Sequence, residues 1–277
     1  MADLNPLTPI MLLWKRRELL WQFTKRNVQT GFRGSYLGAF WLVISPLLML
    51  GLYTFVFGVV FGGSFENTSA AGEKIKLAGI NYALGIFLGL SVLNLITGVL
   101  GSSSTLITFN PNFVKKVVFP LEILPVAQAG NLIFQFGISL LLCFAGLIFL
   151  GPGASPLMLW TPLILFPVVL IALGVGWLLS ALGVFFRDLA QLTQFVGMLL
   201  LYASGVFYST SMIPAKFWLF LKWNPILHII DQLRKTALWQ VEPDYVSLGF
   251  LWISGFLIFQ VGFWVFRRLR PDFADLV

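Results

Sequence analysis

Histidine and cysteine are almost missing from this chain: its 277 residues hold one of each, His228 and Cys143. A lone cysteine cannot close an internal disulfide, and a lone histidine excludes a His-based metal cluster. Charge is scarce too. Charged residues make up 10% of the chain, against roughly 25% in a soluble protein. With 58% hydrophobic and 16% aromatic residues, most of this surface cannot face water, which excludes an ordinary soluble enzyme and a disordered chain. Nucleotide hydrolysis finds no site: a P-loop ends in Gly-Lys-Ser/Thr so that backbone amides and a lysine cradle phosphate, and no Gly-Lys dipeptide occurs. His-Glu-x-x-His, Cys-x-x-Cys and Gly-x-Ser-x-Gly are also missing. No catalytic residue, metal or cofactor is expected on this chain, and the energy for any uphill movement has to come from another one.

Long uncharged runs take the place of charge. Residues 34–65, 77–114, 123–186, 189–215 and 245–266 contain no Asp, Glu, Lys or Arg. A spanning helix needs about 20 apolar residues, and the 123–186 run is long enough for two, broken at Gly151-Pro152-Gly153. Continuous runs of this length exclude a membrane barrel, whose strands alternate over about ten residues. The reading is an all-α integral membrane protein with six transmembrane helices, near 37–61, 82–107, 123–149, 160–186, 192–207 and 246–266. It divides into a tail 1–36, a membrane domain 37–266 and a tail 267–277. Twelve Lys and Arg fall on the side of the two tails against six on the other, so both termini are expected in the cytoplasm. No nucleic acid is expected as a partner.

Residues 9–29 read as an amphipathic helix, with Leu13, Trp14, Leu20 and Trp21 on one side and Lys15, Glu18, Gln22 and Lys25 on the other. It suits the inner membrane interface, or docking on the protein itself. The stretch 208–245 is too long for a plain connector. Asn224-Pro225 is an N-cap followed by proline at the first helical position, and Asp231 and Lys235 are spaced for an i,i+4 ion pair. Two short re-entrant helices between spans 5 and 6 are expected, anchored by Trp218, Trp223 and Trp239.

Within the spans the polarity is uncharged. Gln128, Asn131 and Gln135 share one helix face, Ser91, Asn94 and Thr97 lie in span 2, and Tyr53, Phe57 and Phe61 form an aromatic stripe in span 1. Polar faces either bond neighbouring helices or line a wet path. The aromatic stripe faces lipid or flanks sugar rings in a conduit. Gly58/Gly62 and Gly85/Gly89 are small-xxx-small pairs for close helix approach. On the inner side, residues 109–122 with Asn110-Pro111 and Lys115-Lys116 make a compact basic knob for a soluble partner, or a plain positive-inside anchor. Arg187-Asp188 is either an ion-paired hairpin or a second contact to that partner.

The chain resembles the transmembrane subunit of type-2 ABC exporters, in the branch that moves O-antigen, capsule or teichoic acid. The resemblance runs through Arg26, Ser35-Tyr36-Leu37-Gly38, Trp41 and Pro46, then Lys115-Lys116, Phe119-Pro120 and Glu122-Ile123-Leu124-Pro125. It continues with Phe186-Arg187-Asp188, Val206-Phe207-Tyr208, Ile213-Pro214, Asn224-Pro225 and Arg234. The chain departs from the family at Asn27, Leu121 and Gly205, where an acid, a basic residue and a proline are common. The resemblance implies a homodimeric pore in a bacterial inner membrane, served by two copies of a cytoplasmic ATPase that carries the ATP and Mg. The cargo it implies is a polysaccharide on polyprenyl pyrophosphate. Asn110, Pro111, Lys115, Lys116, Arg187 and Asp188 would form the coupling surface, Arg26 and Arg33 would meet the head group, and Pro214, Asn224, Pro225 and Arg234 would border the outer exit. Another cargo, such as a drug or small lipid, and a polyprenyl-lipid membrane enzyme are the rival readings.

Overall fold

The computed structural model describes residues 7–31, 34–68, 74–115 and 119–276. Two helices, α1 (Thr8–Lys15) and α2 (Arg17–Thr30), stand where one amphipathic helix was expected; the chain breaks at Arg16. A 3₁₀ turn at Gly38–Phe40 leads into α3 (Trp41–Tyr53), which contains Pro46 and continues as a π-helix over Thr54–Val60. An antiparallel hairpin follows, β1 (Ser64–Thr68) with β2 (Lys74–Ala78), pairing Ser64 with Ala78. The sequence reading missed it, although Lys74-Ile75-Lys76-Leu77 alternates with period two.

Next come α4 (Ile80–Ser103), a short α5 (Pro111–Lys115), α6 (Ile123–Phe149), α7 (Thr161–Phe185) and α8 (Leu189–Ala203). The chain ends with α9 (Ala215–Leu221), α10 (Pro225–Ala237), α11 (Tyr245–Leu269) and a last turn α12 (Phe273–Leu276). Among the described residues, five segments are long and apolar enough to cross a membrane: Gly38–Val60, Ile80–Ser103, Ile123–Phe149, Pro156–Phe185 and Tyr245–Leu276. The chain is a multi-pass membrane protein. The expected span at 192–207 is helical only to Ala203. The 15 residues of α8 reach about 22 Å at 1.5 Å per residue, short of the roughly 30 Å hydrocarbon core.

The physical reason lies just beyond that helix end. Gly205 takes φ +66°, a left-handed conformation that ends a helix at little steric expense to glycine. The carbonyls of Gly205, Val206 and Tyr208 then turn to the Arg234 guanidinium.

Helix α4 is the central element. From Tyr82 to Ile96 every residue except Asn94 is buried, against α6, α7, α8 and α10. Glycine allows close packing between α7 and α11: a Cβ on Gly262 would overlap the Gly174 carbonyl, and one on Gly174 would overlap that of Ile258. The expected Gly85/Gly89 pair serves a different purpose, leaving room for the Phe65 ring and for Arg234. Helix α3 is the opposite of α4, with no residue buried in the monomer.

Candidate functional site

At one end of the bundle α2, α5 and the start of α6 come together. Asn110 fixes the turn before α5: its amide donates to the Leu106 carbonyl at 2.8 Å, and its own carbonyl accepts from Phe113 N. Pro111 occupies the first turn of α5, where a missing N–H goes unnoticed. Phe23 of α2, Phe113 of α5 and Phe119 form a closed triangle of rings, with centroids 5.6, 5.1 and 4.8 Å apart. Thr24 seats against Gly130, where a Cβ would come within 2.9 Å of the threonine hydroxyl. The Asn27 amide donates to Gln128 at 3.4 Å. Docking of the N-terminal helix on the protein is therefore part of the fold, while Trp14 and Trp21 remain exposed on its other side.

Pro111, Lys115, Arg187 and Asp188 are exposed on this end, and Asn110 is half-buried. Arg187 and Asp188 form no ion pair with each other, so the ion-paired hairpin is not what the chain builds. Arg26 is exposed, its guanidinium 4.4 Å over the Phe23 ring. Arg33 and Lys116 lie outside the described residues.

The sequence reading missed Glu122 and Arg270 as a pair. The Glu122 carboxylate is 1% exposed and accepts from Arg270 at 2.7 Å, while its backbone carbonyl accepts from the Trp177 indole at 2.9 Å. A buried carboxylate demands a cation; the signal was an isolated acid at the head of an apolar run. Phe273 follows Arg270 into the fold and is fully buried against Phe185 and Phe266. The first helices and the tail after α11 thus meet at the same end of the bundle.

Within the apolar zone, a cavity of about 540 Å³ opens between α3, α4 and α6. Tyr53, Asn94 and Gln135 line it together with Ser45, Ser91 and Ser139. Ser91 and Ser139 turn their hydroxyls back to the carbonyls of Phe87 and Gln135, and Gln135 donates to Asn131 at 3.2 Å. Asn94 stays exposed, and among the described residues its amide has no hydrogen-bond partner. An amide left without a partner in hydrocarbon costs about 4–8 kcal/mol. Gln128 is separate from the cavity, bonded to α2. The aromatic stripe forms as a ladder, Tyr53 to Phe57 at 6.2 Å and Phe57 to Phe61 at 5.9 Å, and Phe57 also stacks on Phe207 at 5.1 Å.

At the opposite end, the Asn224 side chain caps α10 by accepting from Ile226 N at 3.0 Å, while its amide donates to the Ala203 carbonyl and the Ser204 hydroxyl at 3.1 Å each. Pro225 holds the first position of that helix, and Pro214 is exposed before α9. Asp231 and Lys235 pair at 3.0 Å. Of the three expected tryptophan anchors, Trp218 and Trp223 are exposed, but Trp239 is buried against Phe65. Arg234 does not line an opening. It is 2% exposed, gives two hydrogen bonds to Gly85 O and one each to the carbonyls of Gly205, Val206 and Tyr208, and lies 4.1 Å over the Phe65 ring.

Comparison with known proteins gives a family and several relatives. Residues 18–238 match the family described as "ABC-2 type transporter". The O-antigen export system permease protein RfbA of Klebsiella pneumoniae is 27% identical over 262 residues, covering 94% of this chain and 95% of that one. Its namesake from Myxococcus xanthus is 25% identical, covering 96% and 97%. The polysialic acid transport protein KpsM of Escherichia coli is 23% identical, covering 81% of each chain.

Proposed function

Because the chain belongs to the ABC-2 type transporter family, we propose that it is the membrane subunit of an ATP-driven exporter carrying a lipid-linked polysaccharide across the bacterial inner membrane. The observation that carries this reading is the near end-to-end likeness to permeases named for O-antigen and polysialic acid export. Two copies of the chain would form the pore, and two copies of a soluble ATPase would supply ATP and Mg. The chain itself would hydrolyse nothing.

Both termini would be cytoplasmic, as the distribution of Lys and Arg supports. The meeting of α1 with the end of α11 supports an even number of crossings. Five long helices alone would leave the chain on the wrong side. Helix α8 with residues 204–209 would make the sixth, and α9 and α10 would re-enter the outer leaflet. Asn110, Pro111, Lys115, Lys116, Arg187 and Asp188 would face the ATPase, on an end where ring contacts make α2 and α5 one unit. The pyrophosphate would meet Arg26 and Arg33, cations suited to an anionic head group. Sugar rings would pass Tyr53, Phe57 and Phe61 and the cavity around Asn94.

Reconstitution tests it. The purified chain alone hydrolyses no ATP, and adding the ATPase from the same operon produces hydrolysis stimulated by the lipid-linked glycan. A deletion strain with intact surface polysaccharide would move the cargo to another class, and ATPase activity intrinsic to the pure chain would end the reading.

A further inference from the structure

A second cavity, of about 800 Å³, lies between α1, residues 119–122 and the last turn of α11. Four cations line it: Lys15, Arg16, Arg267 and Arg270. Arg270 is committed to Glu122 at 2.7 Å, and that pair is neutral. Among the described residues, Lys15, Arg16 and Arg267 have no carboxylate within ion-pair distance. Three positive charges thus converge on one concave site whose only acid among the described residues is already matched. Its surroundings are apolar on one side. Ile10, Met11 and Trp14 are exposed on α1, and α11, whose end forms the wall, is long and apolar enough to span. Clustered cations beside exposed apolar side chains on the same helix suit the headgroup zone of a bilayer.

We propose that this cavity binds the phosphate of an anionic glycerophospholipid from the same leaflet, with its acyl chains lying along α1 and α11. Lys15, Arg16 and Arg267 hold the phosphate oxygens. Arg270 stays with Glu122 and keeps that carboxylate from repelling the ligand. Arg26 is not part of the site, so the proposal needs a bilayer but not the export reading.

The full chain in detergent, titrated with phosphatidylglycerol or phosphatidylcholine and read by native mass spectrometry, tests it. Phosphatidylglycerol is retained and phosphatidylcholine is not, with retention falling as salt is raised. Each cation near an anionic headgroup is worth about fivefold in binding, so Lys15→Gln weakens retention about fivefold and Arg16→Gln with Arg267→Gln about 30-fold. Lys15 is exposed, so its variant folds even where the double variant does not. Arg268→Gln, exposed outside the cavity, leaves retention unchanged. Equal retention of the two lipids, or equal losses in Lys15→Gln and Arg268→Gln, overturns the site. Displacement by glycerol 3-phosphate as strong as by the intact lipid would assign the site to free phosphate and overturn the lipid.

Discussion

Replacing Arg234 by methionine removes five hydrogen bonds at once, directed to four backbone carbonyls. Bonds from a charged donor contribute about 1.5–3 kcal/mol each, roughly 8–15 kcal/mol in gross terms. Against this stands the desolvation of a buried guanidinium, several kcal/mol, and both vanish together in the variant. The orphaned carbonyls remain. The Gly85 carbonyl keeps its bond within α4, so three acceptors lose their partner. At about 1 kcal/mol each, the low end for an unsatisfied acceptor that retains some freedom to relax, they destabilise the chain by about 3 kcal/mol. For a chain of this size that lowers the unfolding midpoint by about 6–12 °C. Thermal unfolding in detergent followed by tryptophan emission measures it, and hydrogen exchange across residues 203–209 shows where the loss begins. Arg234→Lys keeps the charge but not the fork and falls between the two. A methionine variant that melts alongside the parent chain, with exchange at 203–209 unchanged, would refute the argument that these carbonyls depend on Arg234.

Gly183→Ala sets a Cβ against the Ser104 carbonyl, a backbone contact that cannot swing aside. It lowers stability by about 1–3 kcal/mol or more, seen as a lower melting midpoint and faster exchange in residues 104–115. Asn94→Leu removes the exposed amide on α4: export falls several-fold while expression and melting hold steady, as quantified by surface-glycan staining. A gain in stability with full export would place Asn94 against lipid instead. Asp244 caps α11, accepting from the Ser247 hydroxyl at 2.6 Å and Val246 N at 3.1 Å. The Ser247 bond foremost, against a smaller opposing effect of burial, holds its carboxyl below the usual value. Its stabilisation is therefore complete above the unfolded pKa of about 4 and is lost as pH falls through the lower folded value. The parent chain melts above Asp244→Ala by about 1 kcal/mol in stability at neutral pH, and the two converge on acidification.

What could be read in the sequence was local. The cap at Asn224, the proline after it and the Asp231–Lys235 pair depend on residues a few positions apart, and all three form as their spacing dictates. The long runs gave five of the membrane segments within a few residues for the same reason. Burial was not legible. Helices α3 and α4 are both uncharged and apolar, yet one has no fully buried residue and the other is the core, because that difference comes from neighbours far along the chain. Arg234 looked like a residue at an opening, since nothing nearby announces that Gly85, 149 positions earlier, supplies its acceptor. The α7–α11 contact was partly within reach: Gly255 and Gly262 are seven apart, two turns on one face, and both sit against backbone.

The ring triangle of Phe23, Phe113 and Phe119 has a mechanical meaning. Two segments far apart in the chain share one joint, so displacing either carries the other with it. Through the seat of Thr24 on Gly130, that displacement is handed to α6 as a tilt of a whole rod rather than as the bending of a loop.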